Sequence, residues 1–321
     1  MKPLIGLVLA GGGAKGAYQV GALTYLAELG LQPHIIAGTS IGALNGAVLA
    51  SYPSLKQGVN HLNQLWDYLA QAPIIRPNTT TVIKGMSYLT QSLVPTFNQW
   101  IIDALQMMDF ITDHNAIFDP TPIEELLEQT INLKSLQQGI ELWVTVFPSL
   151  KIPGIRYDLL MAGIDLLRAK TGTQAHWLCA QNCENNEILH NLLLSSAAIP
   201  LAFPQREVDG VHYVDGALAD NVPLKALTIK GCTHAIIIHL DNGEIWNRHD
   251  FPDQAIIEIR PQDRINHSDI PLLGFASSLI DFSPDYIAKL KQKGYEDAKK
   301  CMEPIVATME ILLEQRKCQD S

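Results

Sequence analysis

His34-Ile35-Ile36-Ala37-Gly38-Thr39-Ser40-Ile41-Gly42-Ala43-Leu44-Asn45 is the stretch from which the rest of the chain is read. A short apolar run stops at Gly38, the chain turns at Ser40, and a run of small residues follows. The spacing Gly38-x-Ser40-x-Gly42 is that of a nucleophile elbow, where a strand ends abruptly and reverses into a helix. The serine at such a turn is held in a strained backbone conformation that presents its hydroxyl. Glycines two residues before and two after remove the Cβ atoms that would collide in so tight a turn. The helix start behind Ser40 leaves N–H groups unpaired and places the positive end of the helix dipole beside it. These features suit a serine that attacks an electrophile and then has a negative charge held nearby.

Upstream, Leu4–Ala10 is a continuous apolar run, as expected of a parallel strand covered on both faces. Gly11 to Gly16 is a glycine loop, and Gly16–Leu29 has helical spacing with Gly30 closing it. His34–Ala37 is a second strand and Ile41–Ser51 the helix after the elbow. Strand, glycine loop, helix, strand, turn and helix together open an α/β sheet with right-handed crossovers.

The glycine loop admits two chemistries. Gly11-x-Gly13-x-x-Gly16 formally matches the dinucleotide fingerprint of an oxidoreductase. That reading needs an acidic residue near the end of the next strand to hold a ribose. Gly38-Thr39-Ser40 occupies that place instead. A phosphate-binding Walker loop fails as well, since Lys15 precedes the glycine and Ala17 stands where Ser or Thr is required. The remaining reading is an oxyanion hole, in which Gly11, Gly12 and Gly13 offer backbone N–H groups to an oxygen that becomes negative. Lys15 reads as a solvated side chain or a helix-start contact, with support for an anionic head group as the functional alternative.

Downstream, Leu55–Leu69 continues as a helix. The region 72–118 has another texture: prolines, a Thr79-Thr80-Thr81 cluster, and apolar residues that include Leu93, Phe97, Trp100 and Met108. It reads as an ordinary core helix or as a lid that contacts lipid. Pro122–Ile131 is a helix and Ile140–Phe147 a strand. The span 148–180 reads as an irregular insertion with a short helix near Leu159–Arg168. Glu184–Ser196 is a helix, Val211–Val214 a strand, Pro223–Ile229 a helix, and His234–Leu240 and Ile256–Ile259 are strands. Two helices, Pro284–Cys301 and Pro304–Gln315, complete a C-terminal unit over 284–321.

With 47% hydrophobic and 17% charged residues among 321, the chain can bury a sizeable core, and one domain over 1–321 is expected. A net charge of −10 without a long basic run argues against nucleic acid as a partner. It also argues against tight electrostatic docking on anionic membranes, though hydrophobic contact with lipid stays open. Five cysteines without Cys-x-x-Cys signal neither a disulfide framework nor a zinc site. The first ten residues read as a buried strand rather than a secretion signal, and no apolar run is long enough to span a membrane. The expected location is cytoplasmic, with peripheral contact at membranes. Nothing in the sequence fixes an oligomeric state.

Ser40 needs a base. His212 and His239 are the histidines best placed for a triad, and each reads more simply as a strand residue. Asp215 ends the strand Val211–Val214 and is followed by Gly216. A carboxylate there can accept the serine proton directly, as the base of a two-residue system.

Gly11-Gly12-Gly13-Ala14-Lys15-Gly16, Gly38-Thr39-Ser40-Ile41-Gly42 and Asp215-Gly216-Ala217 occur in this order and together resemble the three motifs of the patatin-like phospholipase family. Ser195-Ser196-Ala197-Ala198-Ile199-Pro200 and Asp220-Asn221-x-Pro223 resemble the segments around the third motif. Phe282-Ser283-Pro284 with Gly294-Tyr295 resembles the C-terminal region of bacterial members. The resemblance implies a three-layer α/β sandwich around a mostly parallel sheet, with helical insertions. It also implies hydrolysis of acyl esters of phospholipids or related lipids without metal or cofactor. Carried over, Ser40 is the nucleophile, Asp215 the general base, Gly11, Gly12 and Gly13 the oxyanion donors, and Gly38 and Gly42 the elbow glycines. The family's third motif usually reads Asp-Gly-Gly, and Ala217 departs from it. A catalytically silent lipid-binding protein on the same fold is the alternative from another class.

Overall fold

The computed structural model describes residues 4–71, 121–150, 159–198, 205–242, 246–263, 265 and 281–319. Five parallel strands are consecutive in the sheet in the order β3-β2-β1-β7-β8, with β8 at its edge. They are β1 (Ile5–Leu9), β2 (Ile35–Thr39), β3 (Glu141–Pro148), β7 (His234–Ile238) and β8 (Ala255–Ile259). Beside β3 run β4 (His176–Cys179) and β6 (Val211–Asp215), both antiparallel to it, and β5 (Arg206–Val208) forms a hairpin with β6.

β1 and its neighbours β2 and β7 are largely apolar because both of their faces are covered. Leu7, Leu9, Ile36, Ile236 and Ile238 join the larger core on one face. The intervening Val8, Ile35, Ala37, Ala235 and Ile237 join a second core on the other. On the first face lie α1 (Gly16–Glu28), α2 (Ile41–Ala50), α3 (Leu55–Gln71), α7 (Asn186–Ser196) and α9 (Pro284–Gln319). The other face is covered by α8 (Leu224–Ile229). Between β2 and β6 the chain also forms α4 (Thr121–Thr130), α5 (Leu133–Gln137) and α6 (Leu159–Lys170). The result is a three-layer α/β sandwich whose sheet is mostly parallel. Helices α1 and α9 cross backbone to backbone: a Cβ on Gly21 would lie 1.8 Å from the Lys291 carbonyl oxygen.

The register at β3 explains how two distant segments meet. Strand β2 leaves the ladder at Thr39, opposite Thr145. Val146, the next residue of β3, pairs with His176 on one edge and with Asp215 on the other. Asp215 therefore takes the ladder position that β2 vacates, and the end of β6 abuts the end of β2 from the opposite direction.

Several expectations change. Residues 72–118 lie outside the described residues. The span 148–180 holds the helix expected near Leu159–Arg168, as α6, and also the strand β4, which is not expected. Four residues are too few to show alternation, so β4 is visible only through its pairing with β3. The hairpin strand β5 was also not expected, although Asp209-Gly210 is a strong hairpin signal. Both residues take positive φ, 49° and 78°, as a type I′ turn requires. At the C-terminus one helix, α9, replaces two and runs through Pro304. That proline is exposed, so water can meet the carbonyl whose partner is lost.

Candidate active site

Ser40 is the residue before α2 and has φ 55° and ψ −127°. This left-handed region is strained for a residue with a side chain, on the order of 1–3 kcal/mol. Two close approaches require glycine around it. A Cβ on Gly38 would lie 2.5 Å from the Gly42 carbonyl oxygen, and one on Gly42 would lie 2.2 Å from that of Leu9. The first turn of α2 is thereby pressed against the ends of β1 and β2. Gly42→Ala is expected to lower stability by about 2–3 kcal/mol, read as a fall in the melting temperature.

The buried N–H of Ser40 donates to Ser196 Oγ at 2.9 Å. Ser196 Oγ in turn donates to the Thr145 carbonyl at 2.7 Å. Asp215 is fully buried. Its N–H donates to the Ala198 carbonyl at 2.9 Å, and its Oδ1 accepts the Ala217 N–H at 2.9 Å. Its Oδ2 has no partner at full hydrogen-bonding distance. The Ser40 hydroxyl is near enough to favour the charged carboxylate, without closing that bond. Burial outweighs both of these contacts and pushes the Asp215 carboxyl up from 3.8 to about 7. Alanine fits at 217, since its backbone is not in the left-handed region and its N–H caps the carboxylate.

The glycine loop divides into an anchor and a free part. Gly11 is clamped by Asn221, which accepts the Gly11 N–H through Oδ1 at 3.1 Å and donates to the Gly11 carbonyl through Nδ2 at 3.3 Å. The Gly11 N–H is thus taken, contrary to the expectation that it stays open as a donor. Those of Gly12 and Gly13 make no hydrogen bond among the described residues. Gly11 also packs on Ser40, since a Cβ there would lie 3.1 Å from Ser40 Cβ. A buried polar chain holds the loop from below. Gln19 Nε2 donates to the Ala10 carbonyl at 2.8 Å, Asn45 Nδ2 to Gln19 Oε1 at 2.9 Å, and Trp66 Nε1 to Asn45 Oδ1 at 2.9 Å. Lys15 is buried at 3% exposure, which overturns its reading as a solvated side chain. Asn221→Ala is expected to slow turnover by about ten- to a hundredfold, since a misplaced donor loses much of its effect. Steady-state kinetics on a soluble ester checks this.

The histidines lie elsewhere. His212 Nε2 lies 3.3 Å from Glu207 Oε2, and His239 Nε2 lies 3.4 Å from Glu258 Oε2, in ion-pairing range. Neither shares a hydrogen bond or ion pair with Ser40. Among the described residues, no group of three or more His, Cys, Asp or Glu side chains could hold a metal ion. The structure places Ser40, Asp215 and the glycine loop side by side. The contacts of Ser196, Asn221, Gln19 and Asn45 with this cluster are not expected from the sequence. For Ser196 and Asn221 the available signal was their place in segments that resemble the family.

A family model described as patatin-like phospholipase matches residues 7–228, more than half of the chain. The chain belongs to the patatin-like phospholipase family. This patatin-like chain is 24% identical over 249 residues to a patatin-like phospholipase domain-containing protein of Caenorhabditis elegans, covering 78% of this chain and 14% of that protein. It is 23% identical over 249 residues to the neuropathy target esterase sws of Drosophila melanogaster, again covering 78% of this chain and 14% of the relative. The patatin-like chain thus spans about one seventh of the length of these relatives. Human GIVD cytosolic phospholipase A2 resembles it with a TM-score of 0.46 at 11% identity, over 97% of this chain and 63% of that one.

Proposed function

We propose that this patatin-like chain is a serine acyl-ester hydrolase that releases fatty acids from phospholipids or related lipids through a Ser40–Asp215 dyad. The observation that carries the reading is the end-to-end meeting of β2 and β6. It sets a strained serine beside a fully buried carboxyl that titrates near neutrality. A base with that titration point is matched to work at pH 7. Family membership and relatives with phospholipase and esterase names support the lipid substrate.

Asp215 Oδ2, the oxygen left without a partner, takes the Ser40 hydroxyl proton as Oγ attacks the ester carbonyl carbon. The carbonyl oxygen becomes negative and is held by the N–H groups of Gly12 and Gly13, aided by the N-terminal end of α2. The tetrahedral intermediate collapses, the carbon–oxygen bond to the alcohol breaks, and the proton on Asp215 goes to the departing oxygen. Ser40 is left as an acyl ester. Water then gives a proton to Asp215 and attacks the acyl carbon. Ser40 leaves with that proton, and a fatty acid is released. Next to the nucleophile, Ile41 begins an apolar cavity between α2, α3 and α4 that includes Leu44, Leu62, Trp66 and Leu127. No helix among the described residues is long and apolar enough to cross a membrane.

The test is fatty-acid release from a mixture of phospholipids and lysophospholipids, followed by mass spectrometry with the wild type and Ser40→Ala. Release by the wild type alone supports the reading. Equal release by both, or none by either, refutes it.

A further inference from the structure

The described contacts of the segment Ser196–Ala198, at the end of α7, touch both halves of the dyad. Ser196 is fully buried, and its hydroxyl has one proton to donate and lone pairs to accept. The proton goes to the Thr145 carbonyl of β3 at 2.7 Å, and a lone pair takes the Ser40 N–H at 2.9 Å. Two residues on, the Ala198 carbonyl accepts the Asp215 N–H at 2.9 Å. Thr145 in turn stands opposite Thr39 in the ladder and directly precedes Val146, the partner of Asp215. Nucleophile and base are therefore fastened to one short piece of chain and to adjacent residues of one strand.

The Ser40 N–H needs such a partner. At φ 55° the residue has left the β2 ladder, and as the residue before α2 its N–H has no place in the helical hydrogen-bond series. The Ser196 hydroxyl is the acceptor supplied to it. Ser195 offers an internal comparison. It is equally buried, but its hydroxyl donates to the Asn191 carbonyl within its own helix at 2.7 Å and makes no described contact with either member of the dyad.

We propose that Ser196 is a positioning residue for hydrolysis: its hydroxyl holds the nucleophile elbow in the strained conformation and at the spacing from Asp215 that proton transfer needs. The mechanistic half of this rests on the dyad reading above. The geometric half, that Ser196 secures the Ser40 amide, stands without it. Removal of the hydroxyl should leave substrate binding intact and slow the chemical step, because a shift of about 1 Å in a reacting group can reduce rate a hundredfold.

The experiment compares the wild type with Ser196→Ala, Ser196→Cys and Ser195→Ala. It measures kcat and KM on a soluble p-nitrophenyl ester, and hydrogen exchange at the Ser40 amide. In Ser196→Ala, kcat should fall about ten- to a hundredfold with KM within twofold, and the Ser40 amide should exchange at least tenfold faster. Ser195→Ala loses a buried hydroxyl of the same size one residue away, yet should keep kcat and Ser40 protection within twofold. Ser196→Cys keeps the volume and a weak hydrogen-bonding sulfur, so it should fall between wild type and Ser196→Ala. It also carries the comparison if Ser196→Ala does not fold. An active wild type with unchanged kcat in folded Ser196→Ala overturns the proposal, as does an equal loss in Ser195→Ala. Unchanged exchange at Ser40 overturns the geometric half whatever the activity. An inactive wild type with the expected exchange pattern refutes the dyad reading instead, and the mechanistic half of this proposal with it.

Discussion

Ser40→Ala is expected to lose at least about 10⁴-fold of the ester-hydrolysis rate while the protein stays folded. The size follows from the role. Without Oγ no acyl-enzyme can form, and what remains is the binding of substrate and the free N–H groups of Gly12 and Gly13. The fold survives because the elbow is held through backbone groups, not through the serine side chain. The Ser40 N–H is taken by Ser196, and its carbonyl accepts the N–H groups of Ala43 and Leu44 at 2.8 and 3.2 Å. Alanine keeps every one of these contacts. Initial rates together with far-ultraviolet circular dichroism check both halves of the expectation.

Asp215→Asn should come next, with a loss of about 10³-fold and two further signatures in pH. The asparagine amide still accepts the Ala217 N–H but cannot accept the serine proton. In the wild type, kcat/KM should rise with pH and level off above about 7, the value to which burial pushes the Asp215 carboxyl. That acid limb should vanish in the variant's residual activity.

Stability should move in the opposite sense. In the native protein Asp215 holds its proton up to about 7, against 3.8 for an unperturbed carboxyl. Between those values the unfolded chain binds fewer protons than the native one, so stability falls as pH rises. The full penalty, on the order of 4 kcal/mol, is reached above pH 7. Asp215→Asn removes it, so the variant should melt higher than the wild type at pH 8 and lose that advantage at pH 4. Thermal denaturation at the two pH values checks this, and a variant less stable at pH 8 would contradict the titration assigned to Asp215.

Much of this site is legible in the sequence because its parts are dictated locally. Gly38-x-Ser40-x-Gly42 encodes the turn, since any side chain at 38 or 42 meets backbone at 2.5 Å or less. The apolar runs of β1, β2 and β7 encode a sheet covered on both faces. What escapes the sequence depends on pairing between distant segments. Asp215 is named as the base by its Asp-Gly turn and by the family resemblance, but how it reaches Ser40 is not: that follows from β6 entering the edge of β3 that β2 leaves, a matter of register between remote strands. The same holds for Asn221, whose side chain reaches back to Gly11, and for Ser196. No local spacing announces either contact. The strand β4 is hidden for the same reason, and Pro304 misleads because an exposed helix turn tolerates it.

The most direct test of the Ser40–Asp215 account is covalent labelling with an alkyl fluorophosphonate, located by peptide mass spectrometry and timed in the wild type, Ser40→Ala and Asp215→Asn. The account predicts a single adduct on Ser40, absent from Ser40→Ala and formed at least a hundredfold more slowly in Asp215→Asn. An adduct on another residue, or equal labelling rates in the wild type and Asp215→Asn, would contradict it.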